Sequence, residues 1–173
     1  MTWDAPLPHE LRFSVNGSLR TCLAPPDRRL ADILREEFGL TAVRTACEVG
    51  RCGACMVLWN DRPVNACLVM AWQLDGASIV TAEGLDAYPE ARILKQALAQ
   101  ENAFQCGYCA SGFVVVLTAA LREHGRPGPD AIRRALEGNI CRCTGYYSIL
   151  RGAERAVEML AQDTESNQDH DRS

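Results

Sequence analysis

Nine cysteines carry most of the chemistry open to this chain of 173 residues, and eight of them fall into two quartets. In the first, Cys47 is followed by four residues and Cys52, then two and Cys55, then eleven and Cys67. A gap of four and then two is the plant-type spacing for a 2Fe-2S cluster, in which one loop wraps the inorganic core and a later cysteine closes it. Thiolates are soft donors suited to iron and sulfide, and four of them complete tetrahedral coordination at both irons. Gly50 and Gly53 lie inside that loop, where turning backbone N–H groups toward sulfur calls for positive φ or close approach. The second quartet is Cys106 and Cys109, two residues apart, with Cys141 and Cys143, one residue apart.

Zinc is the competing chemistry, since Cys106 and Cys109 would serve a four-cysteine structural site. Zinc knuckles pair two such loops, whereas here one arm is Cys-x-Cys and the other quartet opens with a gap of four. A thioredoxin-like role for Cys106 and Cys109 lacks the βαβ context that such a motif needs. The ninth cysteine, Cys22, reads as a small core residue. His9, His124 and His170 lie near a terminus, at a helix end and in the tail, where solvated imidazoles are ordinary. No Gly-rich strand-to-helix turn is present for a dinucleotide, and no nucleophile has a base beside it. Electron transfer needs none of these groups.

Composition narrows the reading further. The chain holds 18 Lys and Arg against 22 Asp and Glu, a net charge of −4, so there is no cationic excess to displace counterions from nucleic acid. Residues 162–173 hold four acids against one base, which leaves the rest of the chain at −1. This acidic stretch has no apolar residue and reads as a disordered, solubilising tail. Cysteine content is below the roughly 8–10% that marks short disulfide scaffolds, and the N-terminus lacks the basic and apolar stretches of a secretory signal. A reducing, cytoplasmic setting is the expectation. The twenty uncharged residues between Glu101 and Arg122 include Asn102, Gln105, Gly107 and Ser111, so no membrane span is expected. The length suits one or two small domains and is too short for an enzyme with its own large substrate cavity.

Two kinds of element must hold the quartets. In the first half, Leu11 to Val15 and Leu19 to Leu23 alternate around Asn16-Gly17, which predicts a β-hairpin. Asp27 is the expected N-cap of a helix carrying Leu30, Ile33, Leu34 and Phe38, with Gly39 as its stop. Met56 to Trp59 and Val64 to Ala66 are expected strands around the turn Asn60-Asp61-Arg62-Pro63, and Ile79 to Thr81 is a further strand. From about Leu85 the period becomes helical. One helix carries Ile93, Leu94, Ala97 and Leu98; a second, apolar nearly all round, carries Phe113 to Leu121. A third, capped by Asp130, carries Ile132 and Leu136 and stops at Gly138. A fourth opens at Ser148 or a near neighbour and carries Leu150, Ala153, Val157 and Leu160. Cys109 then sits at one helix start and Cys143 precedes another, where the positive dipole end stabilises thiolates and a negative cluster.

These motifs resemble those of a known family. The strings Cys47-Glu48-Val49-Gly50-Arg51-Cys52-Gly53-Ala54-Cys55, Arg62-Pro63-Val64-Asn65-Ala66-Cys67, Gln105-Cys106-Gly107-Tyr108-Cys109 and Gly138-Asn139-Ile140-Cys141-Arg142-Cys143-Thr144-Gly145-Tyr146 are similar to the iron-sulfur small subunit of the xanthine dehydrogenase family of molybdenum hydroxylases. The likeness covers about residues 10 to 160. It implies an α+β chain: an N-terminal β-grasp, plant-type ferredoxin-like domain over residues 9–84 and a C-terminal four-helix bundle over residues 85–161, each with one 2Fe-2S cluster, before the tail at 162–173.

By the same resemblance, the chain would pass electrons one at a time from a molybdopterin-binding large subunit to FAD in a medium subunit, in a hetero-oligomer that is a dimer of heterotrimers. The bundle cluster on Cys106, Cys109, Cys141 and Cys143 would lie nearest molybdenum, and that on Cys47, Cys52, Cys55 and Cys67 would face the flavin. Gln105 and Cys143 match positions that contact the molybdopterin. Xanthine or another purine leads the implied substrates, ahead of aldehydes, N-heterocycles and carbon monoxide. Ala110-Ser111 stands where Thr-Pro is common, and Ala46 precedes Cys47 where glycine is common; both leave the eight ligands in place. A zinc-stapled interaction module and a free-standing double-cluster ferredoxin are the rival readings.

Overall fold

The computed structural model describes the backbone of residues 7–170 and the side chains of residues 7–163. Strands β1 (His9–Val15) and β2 (Ser18–Ala24) form the expected antiparallel hairpin, with Val15 opposite Ser18 across the Asn16-Gly17 turn. Both turn residues have positive φ, 52° and 78°, as a two-residue turn matched to strand twist requires. The helix that follows starts later than its sequence suggests. Its N-cap is Arg29 rather than Asp27, and α1 (Leu30–Asp32) runs on as a π-helical turn over Ile33–Glu37. Gly39 follows with φ of +68°.

Strands β3 (Met56–Trp59) and β4 (Arg62–Asn65) close on a tighter turn than Asn60 to Pro63. Only Asn60 and Asp61 make it, both with positive φ, and Pro63 lies within β4. The sheet order explains that proline. With β5 (Ser78–Val80) the order is β2-β1-β5-β3-β4, so β4 is an edge strand, where a missing N–H costs no ladder bond. The sheet is mixed, β1 and β5 being parallel and the other pairs antiparallel.

Four helices follow: α2 (Pro89–Gln100), α3 (Ala110–His124), α4 (Pro129–Ala135) and α5 (Tyr147–His170). Every residue of α3 from Gly112 to Leu121 is buried, as its all-round apolar sequence demands. Among the described residues no helix is long and apolar enough to cross a membrane. Gly128, not Asp130, is the N-cap of α4; Pro129 takes the first helical position, which its fixed φ favours. That helix ends at Ala135, short of Gly138. Helix α5 runs past residue 161, beyond which composition alone predicts a disordered tail. No proline or glycine follows Gly152, and the intervening Glu and Gln residues are good helix formers.

Two hydrophobic cores result. One gathers Leu11, Phe13, Val15, Leu30, Ile33, Leu34, Val57 and Ile79 beneath the sheet. The other gathers Leu85, Leu94, Phe113, Leu117, Ile132 and Ile149 among the helices. Neighbouring residues of β3 point to opposite faces, so Val57 enters the first core and Leu58 the second. The two halves therefore share a strand, and the cysteine loops lie along the seam between them. Cys22 is half-buried against the first core, and burial pushes its thiol pKa up.

Candidate metal centres

All nine cysteines are free thiols, and eight stand where two sites can be built. The first site uses the loop that leads into β3. Glu48, Gly50 and Gly53 have φ of 56°, 73° and 69°, which curls the chain and turns its amides inward. The N–H of Arg51 donates to Cys47 Sγ over 3.3 Å. Cys67 arrives from a short helical turn, Ala66–Leu68, that follows β4. Asn65, at the end of β4, holds the two parts together: its Nδ2 donates to the carbonyl of Gly50 over 3.3 Å, and its Oδ1 lies 3.8 Å from Cys55 Sγ.

The thiols of this site differ in character. Hydrogen bonds, first from the backbone at Val49, bring Cys47 down to about 6. Burial, reinforced by Cys67, pushes Cys55 up to about 12. Cys55 and Cys67 are each only 3% exposed, while Cys47 and Cys52 are half-buried. One side of the site thus faces the sheet core and the other the surface.

The second site is built from two loops among the helices. Cys109 is the N-cap of α3, and Cys106 precedes it in the loop after α2. Cys141 and Cys143 lie between α4 and α5, close to the start of α5 at Tyr147. Helix starts therefore face this site, with the dipole sense that favours thiolate. Burial pushes Cys141 up, yet hydrogen bonds from the Thr144 hydroxyl, 3.2 Å away, and from nearby backbone N–H groups leave it lowered on balance. Burial pushes Cys109 up to about 12. The Cys141 N–H donates to the Tyr146 hydroxyl over 3.0 Å, which fixes the turn. Cys106, Cys143 and Gln105 are all exposed, so this edge of the site faces outward.

The eight thiols meet in four pairs. Cys143 Sγ lies 3.6 Å from Cys106 Sγ, and Cys109 lies near enough to Cys141 for the two to act on each other's ionisation. In the first loop Cys47 and Cys52 are neighbours that act on each other's ionisation, as are Cys55 and Cys67. Among the described residues no three His, Cys, Asp or Glu side chains converge as ligands of one ion. Four thiols gathered at each site supply the ligand set that a two-iron core needs, two for each iron.

Several residues that spacing and composition left unremarked hold the sites against each other. Ile140 N–H donates to the carbonyl of Cys52 over 2.9 Å, and Asn139 Nδ2 to that of Gly53 over 3.4 Å. A Cβ at Gly112 would collide with the carbonyl of Gly53, so that glycine permits α3 to approach the first loop. Asn65 and Asn139 lie within the cysteine motifs, which is the one sequence signal they offer.

Comparison with known proteins agrees with this geometry. Residues 13–79 match the model of a 2Fe-2S iron-sulfur cluster binding domain, and residues 81–154 that of a [2Fe-2S] binding domain. The protein is thus an iron-sulfur oxidoreductase component with two 2Fe-2S domains in series. The chain is 44% identical over 146 residues to a probable xanthine dehydrogenase subunit of Bacillus subtilis, covering 84% of each. It is 40% identical to the nicotinate dehydrogenase small FeS subunit of Eubacterium barkeri, covering 87% of this chain and 96% of that one. The crystal structure of quinoline 2-oxidoreductase from Pseudomonas putida 86 includes a chain that superposes with a TM-score of 0.83 at 34% identity, over 90% of this chain and 98% of that one. The chain belongs to the family of iron-sulfur small subunits of xanthine dehydrogenase-type molybdenum hydroxylases, which serve as electron-transfer subunits of multi-subunit oxidoreductases.

Proposed function

We propose that Cys47, Cys52, Cys55 and Cys67 hold one 2Fe-2S cluster and Cys106, Cys109, Cys141 and Cys143 the other. The observation that carries this reading is that the two quartets gather at two sites, with Cys143 Sγ 3.6 Å from Cys106 Sγ and the other thiols acting on their neighbours' ionisation. Residues 9–84 act as a β-grasp, ferredoxin-like domain and residues 85–161 as a four-helix bundle. When bound, the clusters supply one-electron transfer between a molybdopterin centre in a large subunit and FAD in a medium subunit. The protein's own part is to fix the thiols, exclude water from Cys55, Cys67, Cys109 and Cys141, and aim backbone N–H groups at sulfur, which favours the reduced state.

The exposed edge formed by Gln105, Cys106 and Cys143 is where the molybdopterin subunit docks, with Gln105 and Cys143 contacting the pterin. The first site faces the flavin subunit. The whole works in the cytoplasm as a dimer of heterotrimers. Its substrate is a purine of the xanthine type; the relatives' names also include nicotinate and aldehyde substrates.

Iron and sulfide analysis with visible absorption and EPR of the purified complex tests the core of this reading. Two distinct 2Fe-2S signals are expected, and a colourless protein containing zinc without iron would overturn it. A substrate panel with an artificial electron acceptor tests the xanthine assignment, which fails if an aldehyde or a non-purine heterocycle is the preferred substrate.

A further inference from the structure

Among the described residues, three of the four half-buried arginines have acid or carbonyl partners. Of the half-buried ones, Arg28 pairs with Glu36 and Glu37, Arg29 with Glu48, and Arg35 donates to the carbonyls of Thr41 and Val43. Arg44 is the exception. It is half-buried and, among the described residues, its guanidinium has no carboxylate or carbonyl partner. Its charge is therefore not spent on an acid of the protein and is open to act on other negative charge nearby.

The position of Arg44 indicates which negative charge it can act on. It lies three residues before Cys47, and its N–H donates to the carbonyl of Ala54, between Cys52 and Cys55, over 3.2 Å. Its guanidinium sits 5.5 Å from the centroid of the Tyr108 ring, in the loop between Cys106 and Cys109. The Tyr108 hydroxyl in turn donates to the carbonyl of Thr45 over 2.7 Å, which fixes the ring on which the guanidinium stacks. One cation is thereby clamped between the loops of both quartets. Glu48, the nearest acid along the first loop, is already engaged by Arg29.

We propose that Arg44 is a positioning residue whose charge, held by Tyr108, stabilises the reduced state of both clusters and raises their reduction potentials together. The inference rests on the cluster assignment above. Four thiolates leave an oxidised 2Fe-2S core with a charge of about −2, and reduction adds one more negative charge, so a fixed nearby cation favours the reduced form.

The test is an EPR-monitored redox titration of the intact complex carrying Arg44→Gln, Arg44→Lys or Tyr108→Ala, with iron content measured alongside. With iron intact, Arg44→Gln should make reduction about tenfold less favourable at the first cluster, a fall of 59 mV for a one-electron couple, with a fall of the same sign at the second. Arg44→Lys keeps the charge and should hold both potentials near wild type. Tyr108→Ala removes the clamp and should move both in the direction of Arg44→Gln. Unchanged potentials in Arg44→Gln with both signals present overturn the proposal while leaving the cluster assignment standing. If Arg44→Gln does not assemble its clusters, Arg44→Lys decides: potentials near wild type support the role of charge, and a fall at both clusters overturns it. Absence of iron from the wild-type complex overturns the cluster assignment itself.

Discussion

The backbone N–H of Ile140 donates to the carbonyl of Cys52 over 2.9 Å, so a residue adjoining Cys141 is bonded directly to a member of the other quartet. Because donor and acceptor are both backbone groups, the contact depends on how closely the two loops approach rather than on any side chain. The glycines at the seam set that approach.

Gly112→Ala should therefore disturb both sites from a position outside either quartet. The added methyl meets the Gly53 carbonyl, and forcing backbone apart in a close-packed seam costs about 1–3 kcal/mol. Thermal unfolding of the complex should shift downward, and the EPR lines of both clusters should broaden. Wild-type stability with sharp lines would mean that the helix can move away without consequence.

On the proposed ligand assignment, Cys109→Ser should remove the second cluster and leave the first. Its thiol is paired with Cys141, whereas the first quartet lies on separate loops. Iron content should fall by half, one EPR signal should persist, and electrons from substrate should no longer reach the flavin. Loss of both signals would show that the seam makes one site depend on the other.

Cys22→Ala should change neither signal. Cys22 is half-buried on β2, at the sheet edge opposite β4, and packs against the first core. The cost should be small, about 1 kcal/mol or less of stability for a partly exposed side chain losing one sulfur. Loss of iron on this substitution would place Cys22 in the metal chemistry after all.

Gln105→Ala should separate cluster formation from electron entry. The side chain is exposed beside Cys106 and has no part in the thiol pairs. Reduction of the clusters by dithionite should be unaffected, while reduction by substrate slows about tenfold, the equivalent of one lost hydrogen bond of roughly 1.4 kcal/mol. Equal slowing with both reductants would indicate a change in the cluster rather than at the pterin contact.

Much of this organisation was legible in the residues, for reasons that differ from place to place. Asn16-Gly17 encodes its turn locally, because both positions need positive φ and these residue types tolerate it. Phe113 to Leu121 reads as a central helix because it has no polar face to present to water. Pro63 misled, since a proline reads as turn until the sheet order reveals an edge strand. Asp27 and Asp130 misled in the same way, as plausible caps displaced when Arg29 and Gly128 took those positions. The quartets were visible as spacing, but the pairing of Cys109 with Cys141 joins residues far apart in the chain and needs the helices packed. Arg44 gave no signal and Tyr108 only its place in a cysteine motif, because neither belongs to a periodic pattern and their contact exists only across the seam.

The two faces of β3 also limit how this subunit can be rebuilt. A chimera that exchanged the sheet half for that of a relative would import a new residue at position 58, and with it one wall of the helical core. A smaller side chain there would leave a cavity costing about 2–5 kcal/mol, and a larger one would press on α3 next to the second site. The modules are separable as sequence matches but not as building blocks, and any successful graft must carry Leu58 together with the helices that bury it.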